Sequence, residues 1–125
     1  MADNPNICEV PRWHLLKQQL NNLTPEEFQR ALQETPDAVL IDVRTPAEFE
    51  AGHIPGAVNI NYLAYDFWDQ MEQLDVERTY FIYCRTARRS VRTCTLMRNS
   101  GFKNIFHLDG GWNLWTEKSG AWETV

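Results

Sequence analysis

Apolar residues recur along the chain at helical and strand spacings in turn, and that succession predicts the architecture. Between Pro11 and Asn22, Trp13, Leu16 and Leu20 fall three and four residues apart, one face of a short helix. Thr24-Pro25-Glu26-Glu27 has helix-start chemistry: a hydroxyl that caps, a proline suited to the first helical position and a glutamate that completes a capping box. Phe28, Ala31 and Leu32 continue one face, and Pro36 closes the segment. Val39 to Val43 is a short run without polar alternation, as expected of a strand covered on both faces.

Thr45-Pro46-Ala47-Glu48 repeats the start device and predicts a helix of one or two turns ending at Gly52. After the turn residues Ile54-Pro55-Gly56, Ala57 to Ile60 is a second short strand. Leu63, Phe67, Met71 and Leu74 predict a longer amphipathic helix from Tyr62 onward, and Tyr80 to Tyr83 a third strand. Ala87, Val91, Cys94 and Met97 share a helical face that Gly101 stops. Ile105 to Leu108 is a fourth strand, followed by Gly110-Gly111 and a short helix with Trp112 and Trp115.

Strands thus alternate with helices and no tight hairpin pair occurs. The predicted fold is α/β, a small central, mostly parallel β-sheet flanked by helices on both faces. In such folds the ligand site lies beyond the carboxyl ends of the strands. Residues 1–22 read as an N-terminal extension with a short amphipathic helix, and 23–125 as the domain proper.

Composition narrows the classes. A chain of 125 residues with 43% hydrophobic and 23% charged residues is one ordinary globular domain. The apolar run Ala38 to Ile41 is far too short to span a membrane. The opening residues have no basic stretch leading into an apolar core, so no secretory signal is expected and the cytoplasm is the expected location. A net charge of −5 argues against nucleic acid as a partner. Against that background Arg85, Arg88, Arg89 and Arg92 form a positive island. The three cysteines, Cys8, Cys84 and Cys94, are an odd count, which speaks against a disulfide framework and leaves room for a reactive thiol.

Cys84 holds the position where chemistry is expected, directly after a strand and at the start of Cys84-Arg85-Thr86-Ala87-Arg88-Arg89-Ser90. A tight loop entering a helix turns several N–H groups toward one point. The helix dipole and nearby guanidinium groups add to the preference for a thiolate. The competing reading is a buried structural cysteine beneath a solvated basic surface; the arginine cluster and the strand-end position favour the nucleophile. Cys94 shares a helix face with Val91 and Met97 and reads as core. At ~1.5 Å per residue it lies roughly 12 Å along its helix, beyond the reach of a disulfide to Cys84.

Asp42 and Arg44 sit on the same rim and either help shape the site or form a local ion pair, with Arg44 reaching Asp42 or Glu48; the ion pair is favoured. His53 and His107 read as packing and core residues. No metal is implied by the His and Cys spacing, and an ionised sulfur needs no general base.

Three segments together resemble the single-domain rhodanese family of sulfurtransferases: Leu40-Ile-Asp-Val-Arg-Thr-Pro-Ala-Glu-Phe-Glu-Ala-Gly-His-Ile-Pro-Gly-Ala57, Cys84-Arg-Thr-Ala-Arg-Arg-Ser90, and Gly101-Phe through Leu108-Asp-Gly-Gly-Trp112. In order and spacing they cover roughly residues 23 to 116. The resemblance implies a rhodanese-like fold and a catalytic Cys84 that carries a persulfide. It further implies a substrate-binding loop of Arg85, Thr86, Ala87, Arg88, Arg89 and Ser90, and no cofactor. The implied substrate is a small sulfur-containing anion such as thiosulfate, and the implied acceptor is cyanide, a thiol or a protein. No membrane partner is expected, and the N-terminal helix is the candidate oligomer contact.

A non-catalytic docking or redox-sensing module is the alternative within the same resemblance. Related phosphatases and arsenate reductases have a loop one residue longer that ends in a phosphate-binding Arg; here Ser90 follows Arg89, so that pattern fails. Ala87 stands where the family loop often has Gly. If the position requires positive φ, a side chain there costs about 1 kcal/mol or more.

Overall fold

Two threonines set the frame. In the computed structural model, which describes residues 12–118 and 120–124, Thr24 Oγ1 accepts the Glu27 N–H at 3.2 Å while Glu27 Oε1 accepts the Thr24 N–H at 2.9 Å. Thr45 and Glu48 make the same reciprocal pair at 3.3 and 3.0 Å. Each box satisfies two N–H groups that a helix start leaves orphaned, and Pro25 and Pro46 occupy first-turn positions where no N–H is needed.

The elements in chain order are α1 (Arg12–Lys17), β1 (Asn22–Leu23), α2 (Pro25–Glu34), β2 (Val39–Asp42), α3 (Pro46–Ala51), β3 (Val58–Asn59), α4 (Phe67–Glu72), β4 (Thr79–Tyr83), α5 (Arg88–Asn99), β5 (Asn104–Leu108) and α6 (Gly111–Glu117). The strands form one sheet in the order β1-β5-β4-β2-β3, and every pairing is parallel. β2 and β4 align Leu40 with Phe81 and Asp42 with Tyr83; β4 and β5 align Ile82 with His107. This is the predicted α/β architecture.

Because successive strand residues point to opposite faces, the sheet builds two cores. On one face Ile41, Tyr80, Ile82, Cys84 and Ile105 pack against Phe67 and Met71 of α4 and Cys94 and Met97 of α5. On the other, Leu40, Phe81, Tyr83 and Leu108 meet Phe28 of α2 and Trp115 of α6. α1 rests on α5 of the same chain, and Lys17 forms an ion pair with Asp109 just past β5.

Two elements differ from the sequence reading. The helix expected from Tyr62 begins only at Phe67 and ends at Glu72, and Leu63 is 66% exposed. Asn61 accounts for the delay: its Oδ1 takes the Leu63 N–H at 3.0 Å and its carbonyl the Ala64 N–H at 3.0 Å, so local turns consume groups that a helix would use. β1, which has no β-rich run to announce it, exists because Asn22 and Leu23 pair with His107 and Leu108 at the sheet edge.

Candidate active site

The strand alternation that builds the core also aims the sulfur. Tyr80 and Ile82 of β4 face α5, and Cys84, next in that parity, does the same. Its Sγ accepts the Ser90 N–H at 3.3 Å and lies 3.2 Å from Ser90 Oγ. The loop therefore closes on the sulfur at the first turn of α5. Two features depart from expectation. Of the several loop N–H groups expected around the sulfur, the Ser90 N–H is the one that bonds it, and the other polar contact is a hydroxyl. The residue is also deeply seated, at 1% exposure.

The outer loop is open: Arg85, Thr86 and Arg88 are exposed, while Ala87 is buried. Ala87 has φ 175°, ordinary extended backbone, so the side chain in place of the family's frequent Gly carries no left-handed penalty. Its carbonyl accepts the Val91 N–H at 2.8 Å and lies 2.9 Å from Ser90 Oγ. The start of the loop is gripped from the other side. The Trp112 N–H donates to the Cys84 carbonyl at 2.8 Å and the Asn113 N–H to the Arg85 carbonyl at 3.0 Å. These are free donors of the first turn of α6, used here to hold the strand end.

Behind the sulfur runs a polar row that is buried at Ser90 and His107 and partly buried at Asn22. Ser90 Oγ lies 2.7 Å from His107 Nε2, and His107 Nδ1 lies 2.9 Å from Asn22 Oδ1. The Asn22 amide nitrogen donates to the Lys17 carbonyl at 2.8 Å, which fixes which end of that amide meets the histidine. Burial, reinforced by the positive charge of Lys17, pushes His107 down to about 4.

Asp42 and Arg44 do form the favoured ion pair. Arg44 Nη2 is 2.7 Å from Asp42 Oδ2, Nε is 3.0 Å from both carboxylate oxygens, and Nη2 also donates to the Gly52 carbonyl at 2.6 Å. The guanidinium lies 4.6 Å from the Trp112 ring centre and 5.6 Å from that of Tyr83. Burial alone would lower the Arg44 pKa; the Asp42 carboxylate outweighs it and holds the pKa above its ordinary value. The pair braces β2, α3 and α6 rather than facing the sulfur.

Arg89 turns back to Glu48, Nη1 to Oε1 3.4 Å. Burial would raise the Glu48 carboxyl, but its bonds from Thr45 and Arg89 prevail and keep it below the usual range. His53 stacks on Phe49 with ring centres 3.8 Å apart, which is the packing role expected of it. Cys94 is buried, and burial pushes its thiol pKa far up, so it serves the core. Cys8 lies outside the described residues. Two surface depressions of about 310 Å³ each flank the loop, one lined by Tyr62, Arg88, Arg89 and Arg92, the other including Arg44, Arg85 and Trp112.

The geometry can be set beside known proteins. The profile of the Rhodanese-like domain matches residues 24–118. The chain belongs to the rhodanese family. A sulfurtransferase of Allochromatium vinosum is 31% identical over 96 residues, covering 77% of this chain and 88% of the relative. The thiosulfate sulfurtransferase of Pseudomonas syringae pv. syringae is 34% identical over 92 residues, 73% and 83% of the two chains. The polysulfide-sulfur transferase homodimer of Wolinella succinogenes superposes with a TM-score of 0.77 at 27% identity, covering 91% of this chain and 85% of that one. At the level of the family, this rhodanese-like chain is a transferase of sulfur. Among its described residues no helix is long and apolar enough to cross a membrane.

Sequence reasoning placed Cys84, Ser90 and the arginines in one loop but left His107, Asn22 and Gly111 outside the site. One signal was available for His107: it shares parity with Ile105 on β5, hence a face with Ile82 and Cys84.

Proposed function

We propose that Cys84 carries sulfane sulfur from a small anionic donor such as thiosulfate, or from a persulfide, to cyanide or a thiol. The observation that carries this reading is the closure of the loop on Cys84 Sγ by the Ser90 N–H at 3.3 Å. A ring that closes one residue after Arg89 suits a sulfur atom better than a phosphoryl group, and the charged N–H end of α5 favours an anion there.

The Cys84 thiolate attacks the outer sulfur of thiosulfate. A new S–S bond forms as the bond to the sulfonate sulfur breaks, and sulfite departs with that electron pair. The persulfide then gives its terminal sulfur to the attacking acceptor, and the Cys84 thiolate is regenerated. No net oxidant or reductant enters. Arg85 and Arg88, exposed beside the loop, attract the donor anion; Arg89, held by Glu48, shapes the loop. Because Cys84 is covered, loading requires the Arg85–Arg88 stretch to yield, which favours small donors.

The test is the mass of the intact protein after exposure to thiosulfate and, separately, to a small persulfide. A gain of one sulfur atom on Cys84, removed by cyanide and absent in Cys84→Ser, is the expected result. A folded protein that forms no adduct with either donor class overturns the reading in favour of a docking or redox-sensing module.

A further inference from the structure

The two depressions that flank the active loop differ in charge. The one beside Arg85 also holds Glu48, whereas the one lined by Tyr62, Arg88, Arg89 and Arg92, of about 310 Å³, has no carboxylate in its wall. Arg88 and Arg92 are both exposed and stand one turn apart on α5, a spacing at which like charges repel. The chain has 17 acidic residues, yet α5 opens without one, while α2 opens with Glu26 and Glu27 and α3 with Glu48. Arg89 is tied to Glu48; among the described residues no ion pair forms at Arg88 or Arg92. On a chain of net charge −5, these two arginines present a positive strip to the outside.

The wall beside the strip is aromatic and fixed. The Tyr62 N–H donates to the Val43 carbonyl at 3.1 Å, and its ring meets Phe67 edge-on with ring centres 5.2 Å apart. Immediately after it the Asn61 turns keep residues 63–65 out of α4, and there Leu63 is 66% exposed and Tyr65 fully exposed. The nearest carboxylate in sequence, Asp66, accepts the Gln70 side-chain amide at 3.1 Å. Arginine and tyrosine are the side chains that most often anchor a protein interface. A depression of this size with an apolar flank is more than a cyanide or thiosulfate ion fills.

We propose that Tyr62, Leu63, Tyr65, Arg88 and Arg92 form the docking surface for the sulfur acceptor, and that this acceptor is an acidic peptide segment of a protein, with its thiol set among carboxylates. The arginines take the carboxylates, the tyrosine and leucine side chains cover the peptide's apolar atoms, and α5 leads from Arg92 through Arg88 to the loop that begins at Cys84. The same guanidinium groups favour the acceptor's thiolate over its thiol. That thiolate, its proton released to solvent, attacks the outer sulfur of the Cys84 persulfide. A bond forms between the attacking and the outer sulfur, the bond from the outer sulfur to Cys84 Sγ breaks, and its electron pair stays on Sγ as the thiolate. The acceptor departs as a persulfide, and no oxidant or reductant enters. The inference rests on the sulfur-transfer reading for the role of its occupant.

Its first test needs no sulfur chemistry. The probe is a short fluorescein-labelled peptide of glutamates around one serine, set against a version with glutamine in place of glutamate. By fluorescence anisotropy at low ionic strength, the acidic peptide is expected to bind the unaltered protein about tenfold more tightly than the glutamine peptide, and Arg92→Glu and Tyr65→Ser are each expected to weaken it by about tenfold. Equal binding of the two peptides by the unaltered protein, which requires no variant to fold, overturns the proposal. So does an Arg92→Glu protein of unchanged thermal midpoint that binds as the wild type does. With cysteine in place of the serine, the acidic peptide should take sulfur from the Cys84 persulfide about tenfold faster than the glutamine peptide, read by intact mass. Mercaptosuccinate, a small dicarboxylate thiol, taking that sulfur as fast at equal concentration would assign the strip to a small acceptor and overturn the peptide. Sedimentation that shows a dimer which Tyr65→Ser separates would assign the strip to a second copy of this chain and overturn it likewise. Persulfide formation without peptide binding sinks the docking surface and leaves sulfur transfer standing; peptide binding without persulfide formation keeps the surface and sinks the transfer.

Discussion

A side-chain carbon on Gly111 would come within 2.5 Å of the Cys84 carbonyl oxygen, so the helix that holds the active loop approaches it as closely as backbone allows. Gly111 also has φ 60°, in the left-handed region that favours glycine. The adjacent Trp112 N–H bond to that same carbonyl exists only because of this approach. Gly111→Ala should therefore displace α6 from the loop, lower stability by about 1–3 kcal/mol and slow sulfur loading on Cys84. Urea denaturation and intact mass after thiosulfate check the two effects; a variant that loads at the wild-type rate would show that this contact does not shape the loop.

The Asp42–Arg44 pair predicts an asymmetry. Both side chains are almost wholly buried. Arg44→Met leaves the carboxylate buried without its partner and should cost about 3–5 kcal/mol, whereas the double variant Asp42→Asn/Arg44→Met should recover part of that loss. Chemical denaturation of the single and double variants measures the coupling, and additive losses would contradict it.

His107 makes stability depend on pH. Its folded pKa, about 4, lies below the ordinary histidine value of 6.5, so the unfolded chain binds the extra proton first. Its contribution is fully present above about pH 6.5 and is lost as pH falls toward 4, on the order of 3 kcal/mol in all. Denaturation midpoints between pH 7 and 4.5 should fall accordingly. The slope should flatten in His107→Asn, and an unchanged slope would assign the acid sensitivity to other groups.

Arg88 and Arg89 should separate experimentally. Arg88 is exposed beside the loop, while Arg89 is tied to Glu48. Arg88→Glu should slow thiosulfate loading at low ionic strength, with the difference shrinking as salt is added and the Debye length falls below about 10 Å. Arg89→Ala should act through loop shape and keep its deficit in salt.

Much of this was legible along the chain. Thr24 and Thr45 announced their helices because a capping box is closed by residues three apart, and β2 and β4 announced themselves because a strand buried on both faces is apolar throughout. Cys84 could be singled out because strand end, arginines and loop adjoin in sequence. The start of α4 was missed because Asn61 spends its side chain and carbonyl on turns, a local competition that apolar periodicity does not register.

The sequence by itself determined the order of helices and strands, the parallel sheet and the loop that begins at Cys84, since each follows from residues within a few positions of one another. Only the tertiary structure decided that His107 and Asn22 stand behind the sulfur, that Arg89 faces Glu48 and that Gly111 lies against the Cys84 carbonyl. Ser90 and His107 are 17 residues apart, and His107 and Asn22 are 85. Contacts at such separation are set by strand register and helix placement, which depend on how the whole core packs.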